Sequence, residues 1–165
     1  RDWSSDVCSS DLSEKLISFD PASFQMIQDM GPATFWSYVK DLGIKVFLPN
    51  YEEGHVLTGL YEPSDIAAAL SEHLPHATII LKLDADGALV HHDGVQTQIA
   101  PATNHLVDAT GAGDSFAGAY LAHFSKYGSV VDAARFATRI AAWVIEHLGA
   151  RPAADARLTR IIASI

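Results

Sequence analysis

The 165-residue sequence has one cysteine, Cys8, which excludes an internal disulfide bond. Basic residues are scarce, with 11 Lys and Arg against 20 Asp and Glu for a formal net charge of −9. No basic cluster occurs, which argues against nucleic acid or an anionic membrane as a partner. No apolar run approaches the ~18 residues of a membrane span, and the N-terminus lacks a signal-peptide apolar region. These features favour a cytoplasmic protein.

Hydrophobic residues make up 48% of the sequence and charged residues 19%, a balance typical of a globular domain. Apolar segments at residues 15–19, 45–48 and 77–83 indicate buried strands, separated by segments with apolar residues at helical spacing. Two strand-like segments flank Asp93-Gly94, a dipeptide typical of hairpin turns. The alternation of strands and helices predicts an α/β fold, a parallel sheet with right-handed crossovers.

Residues 1–12 contain Ser-Ser-Asp twice and show neither helical nor strand periodicity. We interpret them as an artificial join or a flexible tail and place the folded portion in residues 13–165. That portion is long enough to bury one sizeable core, so a single domain is expected.

The most informative segment is residues 104–118, which leads from a predicted apolar strand end through small and glycine residues into a helix. The helix presents one apolar stripe, formed by Phe116, Tyr120, Leu121 and Phe124. A loop of this kind directs several backbone N–H groups at one point, where the helix dipole adds positive potential. The segment therefore predicts an anion site, with phosphate as the obvious ligand.

Asp114 places a carboxylate at the start of this helix. A carboxylate repels phosphate, but it can accept the proton of a hydroxyl that attacks phosphorus. The spacing matches neither the dinucleotide-binding nor the P-loop pattern, and Gly113 to Gly118 is one residue too long for a G-x-S-x-G nucleophile elbow. The alternative interpretation is a tight turn in which Asp114 caps the helix.

Asp108-Ala109-Thr110-Gly111-Ala112-Gly113-Asp114, followed by Ser115-Phe116-Ala117-Gly118-Ala119, resembles the second signature of the PfkB (ribokinase-like) carbohydrate kinase family. The resemblance implies a three-layer, parallel-sheet ribokinase-like (Rossmann-like) fold. It further implies that the amides of Gly111, Ala112 and Gly113 form an anion hole for the transferring phosphate. Asp114 would be the base that takes the proton of the substrate hydroxyl.

Asn50 and Glu53 follow the second predicted strand and match the N-x-x-E motif of the same family. The resemblance implies that they organise Mg²⁺, largely through water, together with the donor phosphates. Because Mg²⁺ keeps much of its water shell, an amide and a carboxylate one turn apart suit it. The alternative is that the pair simply caps a helix.

Residues 77–99 resemble the nucleotide-side segment of the family, so Lys82, Asp84 and Gly87 are candidate cofactor contacts. Relatives commonly have a small hydroxyl residue and a glycine where this chain has Lys82 and Asp84. Lys82 could contact a donor phosphate, or it could pair with Asp84 or Asp86. Asp84 brings a negative charge and a Cβ to a place where the nucleotide would approach.

Three further residues are candidates through the resemblance alone. Thr138, on a predicted helix, would lie near the nucleotide, although simple helix packing is the alternative. Asp108 and Thr110 could supply oxygens to a monovalent cation, together with the region of Gly149, and Asp108 could equally brace its loop.

The resemblance covers residues 15–152, the C-terminal half of a typical family member, so we expect an incomplete kinase that lacks the N-terminal half and the lid. The expected function is ATP-dependent phosphoryl transfer to a hydroxyl of a sugar or nucleoside, with ATP and Mg²⁺ as cofactors and a homodimer as the intact form. The alternative is a non-catalytic nucleotide-binding or interaction module derived from such a kinase.

Overall fold

The structure is a computed structural model and describes residues 15–164. The predicted tail, residues 1–12, lies outside the described residues, as do residues 13, 14 and 165. The described part is a five-stranded sheet with helices packed on both of its faces.

The strands follow one another in the sheet in chain order, β1-β2-β3-β4-β5. They are β1 (Ser18–Phe19), β2 (Val46–Phe47), β3 (Thr78–Lys82), β4 (Ala88–His92) and β5 (Val95–Ile99). The first three strands are parallel, and β4 and β5 are antiparallel to their neighbours. The parallel sheet with an appended hairpin agrees with the α/β prediction.

Seven helices connect and cover the strands in the described part of the chain. They are α1 (Phe24–Met30), α2 (Pro32–Val39), α3 (Tyr51–Thr58), α4 (Pro63–His73), α5 (Ala112–Tyr127), α6 (Val130–Ile145) and α7 (Ala156–Ala163). Within residues 15–164, none of these helices combines the length and the hydrophobicity of a transmembrane segment.

Alternation of side chains along the strands produces two apolar layers. Phe47, Ile79 and Leu81 face α1 to α4, where they meet buried side chains such as Ile66 and Leu70. Their neighbours along the strands face the opposite way, against α5 and α6. Because successive strand residues point to opposite faces, two apolar faces require helices on both sides. The three-layer architecture predicted for this chain is therefore confirmed.

The hairpin turns at Asp93 and Gly94, whose φ angles are 49° and 75°. Positive φ at both central residues is the requirement of a type I′ turn, which matches the twist of the two strands it joins. The hairpin predicted from Asp93-Gly94 is confirmed.

The strand end predicted within residues 104–108 is wrong, because no strand lies between β5 and α5. The backbone N–H groups of Val107 and Asp108 both donate to the carbonyl of Ile145, at 2.8 and 3.1 Å. This segment is therefore held by the end of α6 rather than by the sheet. Among the helices, α2 ends at Val39 and α6 at Ile145, which leaves Leu148 outside the helix and exposed.

Gly87 connects the end of β3 to β4 through a backbone conformation of φ 84°, ψ −118°, open essentially to glycine alone. A Cβ at this position would lie 2.1 Å from the carbonyl oxygen of Ile99. The carbonyl of Gly87 also accepts a hydrogen bond from the N–H of Leu83, at 2.9 Å. Glycine is therefore required here, because the residue before β4 lies in close contact with the backbone at the end of β5.

We expect Gly87→Ala to lower the free energy of unfolding by about 3 kcal/mol, because it combines backbone strain with a backbone clash. Gly94→Ala is the matched control, since Gly94 also has a positive φ but has no atom within 4 Å of an added Cβ. It should cost about 1 kcal/mol. Urea denaturation followed by circular dichroism measures both values. Equal losses in the two variants would contradict the close approach at Gly87.

Candidate active site

The carboxyl ends of the three parallel strands meet at one edge of the sheet, where each strand is followed by or ends in a polar residue: Asp20, Asn50 and Lys82. A β-bridge pairs Asn50 with Lys82, and the N–H of Lys82 donates to the carbonyl of Pro49 at 2.9 Å. In open α/β sheets, ligands bind outside this edge. The bridge thus brings together Asn50 and Lys82, which the sequence analysis identified as candidate site residues through separate motifs.

Lys82 forms an ion pair with Asp20, with 2.6 Å between Nζ and Oδ2. The side chains are 14% and 26% exposed, so the pair is partly shielded from water. The sequence offered Asp84 and Asp86 as partners of Lys82, and that expectation is wrong. Both residues lie in the 3₁₀ turn after β3 and are exposed, whereas Asp20 directly follows β1, the parallel strand two places away in the sheet.

Asn50 and Glu53 form a capping box at the start of α3. The Asn50 side chain accepts from the N–H of Glu53, and the Glu53 side chain accepts from the N–H of Asn50, both at 2.8 Å. Each side chain satisfies a backbone donor that the first turn would otherwise leave unpaired. The helix-cap alternative is therefore observed, and it fixes the two side chains beside Lys82.

Glu53 is only 1% exposed, and burial raises the pKa of its carboxyl above the ordinary 4.5. Three smaller effects act on the same pKa: the hydrogen bond from Asn50 and the charge of Lys82 lower it, and the charge of Asp20 raises it. These influences indicate that Asp20, Glu53 and Lys82 form one electrostatic cluster.

The donor set at this edge suits a hydrated Mg²⁺ better than a dehydrated one. The single side-chain oxygen of Asn50 and one carboxylate oxygen of Glu53 are engaged in the capping box, and Glu53 is buried. No group of three or more His, Cys, Asp or Glu side chains that could hold a metal ion occurs among residues 15–164. Since Mg²⁺ keeps several waters, Asn50 and Glu53 could reach it through them.

The first turn of α5 lies next to Lys82. A Cβ built on Gly113 would be 3.8 Å from Lys82 Nζ. The N–H of Ala112 already donates to the carbonyl of Ala109 at 3.1 Å, and that of Ser115 to the carbonyl of Gly111 at 2.9 Å. The amides between them, of Gly113 and Asp114, belong to the first turn, where the helix supplies no acceptor. These two amides are the donors best placed for an anion.

Gly111 precedes α5 in the left-handed conformation, with φ 81°. A Cβ at this position would lie 2.8 Å from the Cβ of Ala150 and 3.0 Å from its carbonyl oxygen. Glycine thus lets the chain after α6 pack directly against the start of α5. Asp114 is the third residue of α5 and is exposed, so its carboxylate is accessible to a substrate.

Asp108 braces the loop that leads into α5. Its Oδ1 accepts from the N–H of Thr110 and its Oδ2 from the N–H of Gly149, both at 2.9 Å. Hydrogen bonds from Thr110 and Gly149 hold the pKa of the Asp108 carboxyl below its ordinary value of 3.8. The structure brings Asp108, Thr110 and Gly149 together as predicted. The hydrogen bonds of Asp108 correspond to its alternative role, in which it braces the loop. The role of Asp108 and Thr110 toward a monovalent cation stays a prediction.

The remaining nucleotide candidates lie in two places. Asp84 has φ 50°, a left-handed conformation that glycine adopts at less cost than aspartate. Asp84 is exposed at the same strand end as Lys82, close to Gly87 in the chain. Thr138 is buried in α6 and donates its hydroxyl to the carbonyl of Ala134 at 2.9 Å. Burial and this bond agree with the alternative interpretation of Thr138 as a helix-packing residue. A contact between Thr138 and the nucleotide stays a prediction.

Asp20 is the site residue that the sequence reasoning missed. A signal was present, because Asp20, like Asn50, is the first polar residue after an apolar segment that indicates a strand. Alternation also places the side chains: Leu48 and Ile80 face α5 and α6, so Asn50 and Lys82, two residues further on, face the same side. Considering every polar residue after a parallel strand would have included Asp20.

The geometry defines an α/β protein with a candidate phosphate site at the carboxyl edge of its sheet. Residues 28–157 match the family described as pfkB family carbohydrate kinase. The chain belongs to this family. An uncharacterized sugar kinase of Archaeoglobus fulgidus is 28% identical over 135 residues, which cover 82% of this chain and 52% of that protein.

Solved structures with the same fold include the adenosine kinase of Sinorhizobium meliloti, with a TM-score of 0.79 and 16% identity over 92% of this chain and 45% of that one. The ribokinase of Arabidopsis thaliana, solved with ribose and ATP, gives a TM-score of 0.60 and 26% identity over 67% of this chain and 38% of that one. The chain spans about half the length of the Archaeoglobus relative.

Burial of Glu53 predicts a pH-dependent stability. Because its folded-state pKa is raised, its contribution to stability is present below about pH 4.5 and is lost as the pH rises through the raised pKa. Glu53→Gln retains an oxygen for the Asn50 N–H and cannot ionise. Its free energy of unfolding relative to wild type should therefore increase above pH 4.5, by about 1.4 kcal/mol for each unit of the pKa rise. Urea denaturation at a series of pH values measures this.

Asp108→Asn is the control, because the pKa of Asp108 is shifted in the opposite direction to that of Glu53. Because the pKa of Asp108 is lowered, its contribution to stability is present above pH 3.8 and is lost as the pH falls through the folded-state pKa. The difference between this variant and wild type should therefore stay constant above about pH 5. A Glu53→Gln effect that is equally constant there would contradict the raised pKa.

Proposed function

We propose that this chain carries the phosphoryl-transfer part of an ATP-dependent carbohydrate kinase. The observation that supports it most is the placement of an accessible Asp114 carboxylate on the first turn of α5, beside the Lys82 ammonium and unpaired helix amides. A general base and an anion site in one turn suit attack by an alcohol on a phosphoryl group.

Asp114 accepts the proton of the substrate hydroxyl. The alcohol oxygen forms a bond to the γ-phosphorus of the ATP donor while the bond from that phosphorus to the ADP oxygen breaks, so ADP leaves and the hydroxyl proton moves to an Asp114 oxygen. Exposure of Asp114 leaves room for the acceptor on the outer side of the turn.

The first turn of α5 holds the group that is transferred. The amides of Gly113 and Asp114 donate to its oxygens, and Gly111 and Ala112 set the backbone path that aims them. Lys82, whose Nζ is 3.8 Å from the Cβ position of Gly113, adds a full positive charge to the same place. Preorganised donors of this kind stabilise the charge that spreads over the transferring oxygens.

ATP is the proposed donor and Mg²⁺ the proposed metal. The ribokinase of Arabidopsis thaliana, which is 26% identical to this chain, was solved with ribose and ATP. Asn50 and Glu53 would hold a hydrated Mg²⁺, which when bound would neutralise the donor phosphates. Asp84, Gly87 and Thr138 are the proposed nucleotide contacts, and Asp108 with Thr110 the proposed ligands of a monovalent cation.

The proposed acceptor is a sugar or a nucleoside, since the family comprises carbohydrate kinases and one relative in fold is an adenosine kinase. We further propose a cytoplasmic location and a homodimer for the intact enzyme. A second candidate function is a nucleotide-binding module without catalysis. The negative charge of Asp84 at the strand end that carries Lys82 favours it, because that charge opposes a polyphosphate.

Asp114→Asn should lower turnover by about 10² to 10⁴-fold, because it removes the base while keeping the shape of the side chain. Asp65→Asn is the matched control, since Asp65 is exposed and is also the third residue of its helix, α4. It loses the same interaction with a helix dipole and should keep normal turnover.

The measurement is release of ADP with Mg·ATP and a panel of sugars and nucleosides, in the form of the protein that shows turnover. Near-normal turnover of Asp114→Asn would refute the base assignment. ATP binding without ADP release for every acceptor would favour the non-catalytic module.

A further inference from the structure

Asp20 is oriented by its own turn. It follows β1 directly, and its Oδ1 accepts a hydrogen bond from the N–H of Ala22 at 3.2 Å. Ala22 has φ 61°, in the left-handed region, so the chain turns directly after Asp20. The side-chain bond to the backbone two residues on is an Asx turn, which restricts the rotamer of Asp20. The Asx turn therefore also fixes the direction of the second oxygen, Oδ2, whether or not that oxygen has a partner.

Lys82 is the partner of that second oxygen. Its Nζ lies 2.6 Å from Asp20 Oδ2, which makes the contact a short charge-assisted hydrogen bond. A lysine side chain has four flexible bonds and loses considerable entropy when it is held in one position. The hydrogen bond to Asp20 offsets this loss of entropy and holds the Lys82 ammonium in place.

The fixed ammonium still has two of its three protons to donate. The first turn of α5 lies on one side, with the Cβ position of Gly113 at 3.8 Å. The Asp20 carboxylate contacts the same ammonium, and the backbone of Lys82 is bridged to Asn50 at this strand end. Lys82 thus contacts Asp20 and lies next to the amides proposed to hold phosphate.

We propose that Asp20 is the positioning residue of the phosphate site: its carboxylate fixes the Lys82 ammonium beside the first turn of α5. Asp20 acts through Lys82 and does not itself touch the anion, which it would repel. This inference rests on the proposed function, because the anion at α5 is taken to be a donor phosphate. It adds a residue that neither the sequence motifs nor the capping box includes.

Asp20→Asn tests whether Asp20 positions Lys82 and leaves the Asx turn of Asp20 in place. The Asn oxygen can keep the bond from Ala22, which places the amide nitrogen, itself a donor, against the Lys82 ammonium. Asp86→Asn is the matched control, because Asp86 is an exposed carboxylate after the same strand and is not the partner of Lys82. Both variants remove one negative charge from this end of the sheet.

The first measurement needs no ligand. The protein is treated with a limiting amount of an amine-acetylating reagent, and modification of Lys82 is compared with that of exposed Lys45 by peptide mass spectrometry. Asp20→Asn should increase the Lys82 to Lys45 ratio severalfold, and Asp86→Asn should leave it unchanged. An unchanged ratio in folded Asp20→Asn, or an equal increase in both variants, would overturn the proposal.

A wild-type measurement covers the case in which Asp20→Asn does not fold. In ¹⁵N-edited spectra that select lysine ammonium groups, the protons of Lys82 should exchange with water more slowly than those of Lys45. Equal exchange rates would overturn the proposal, since a held ammonium is protected.

The second measurement uses inorganic phosphate and calorimetry. Asp20→Asn should bind phosphate roughly tenfold more weakly than wild type, the loss of about one charge-assisted hydrogen bond. Tighter binding would overturn the proposal, because Asp20 would then act only as a repelling charge. If wild type binds no phosphate, the role at the donor site is overturned together with the proposed function. The acetylation ratio separately decides whether Asp20 fixes Lys82.

Discussion

The ion pair between Lys82 and Asp20 joins the ends of two parallel strands that lie on either side of β2, and the candidate site is arranged around it. Without the ammonium, Asp20 and Glu53 would be two acidic groups at a sheet edge that is proposed to bind phosphate. Like charges in a partly shielded environment repel strongly. Lys82 therefore allows acidic side chains to lie next to the proposed anion site in a chain of net charge −9.

A second constraint fixes the other wall of the site. The loop before α5 is tied to the end of α6 by the carbonyl of Ile145 and by the bond between Asp108 and the N–H of Gly149. Gly111 adds direct contact with Ala150. Backbone groups make most of these ties, so the direction of the first α5 amides is set by the chain path. Electrostatic stabilisation depends on donors whose direction is fixed before the reaction.

The sequence allowed most elements and the motif residues to be predicted, because their signals are local. A capping box needs residues three apart, a hairpin turn needs Asp93-Gly94, and an apolar stripe needs one helix. The strand end expected within residues 104–108 failed for the same reason. Apolar residues beside a turn resemble a strand locally, whereas here the carbonyl of Ile145 provides their hydrogen-bond partner.

The sequence by itself determined the α/β architecture and the family, because their signals are patterns of residues close together in the chain. It also supplied Asp114, Asn50 and Glu53 as candidate site residues, whose roles stay predictions. Only the tertiary structure decided which charges meet. Asp20 and Lys82 are 62 residues apart in the chain, and the residues alone offered Asp84 or Asp86 as the partner of Lys82. Residue spacing carries no information on so distant a pair. The pair forms because parallel pairing brings the carboxyl ends of β1 and β3 to one edge of the sheet.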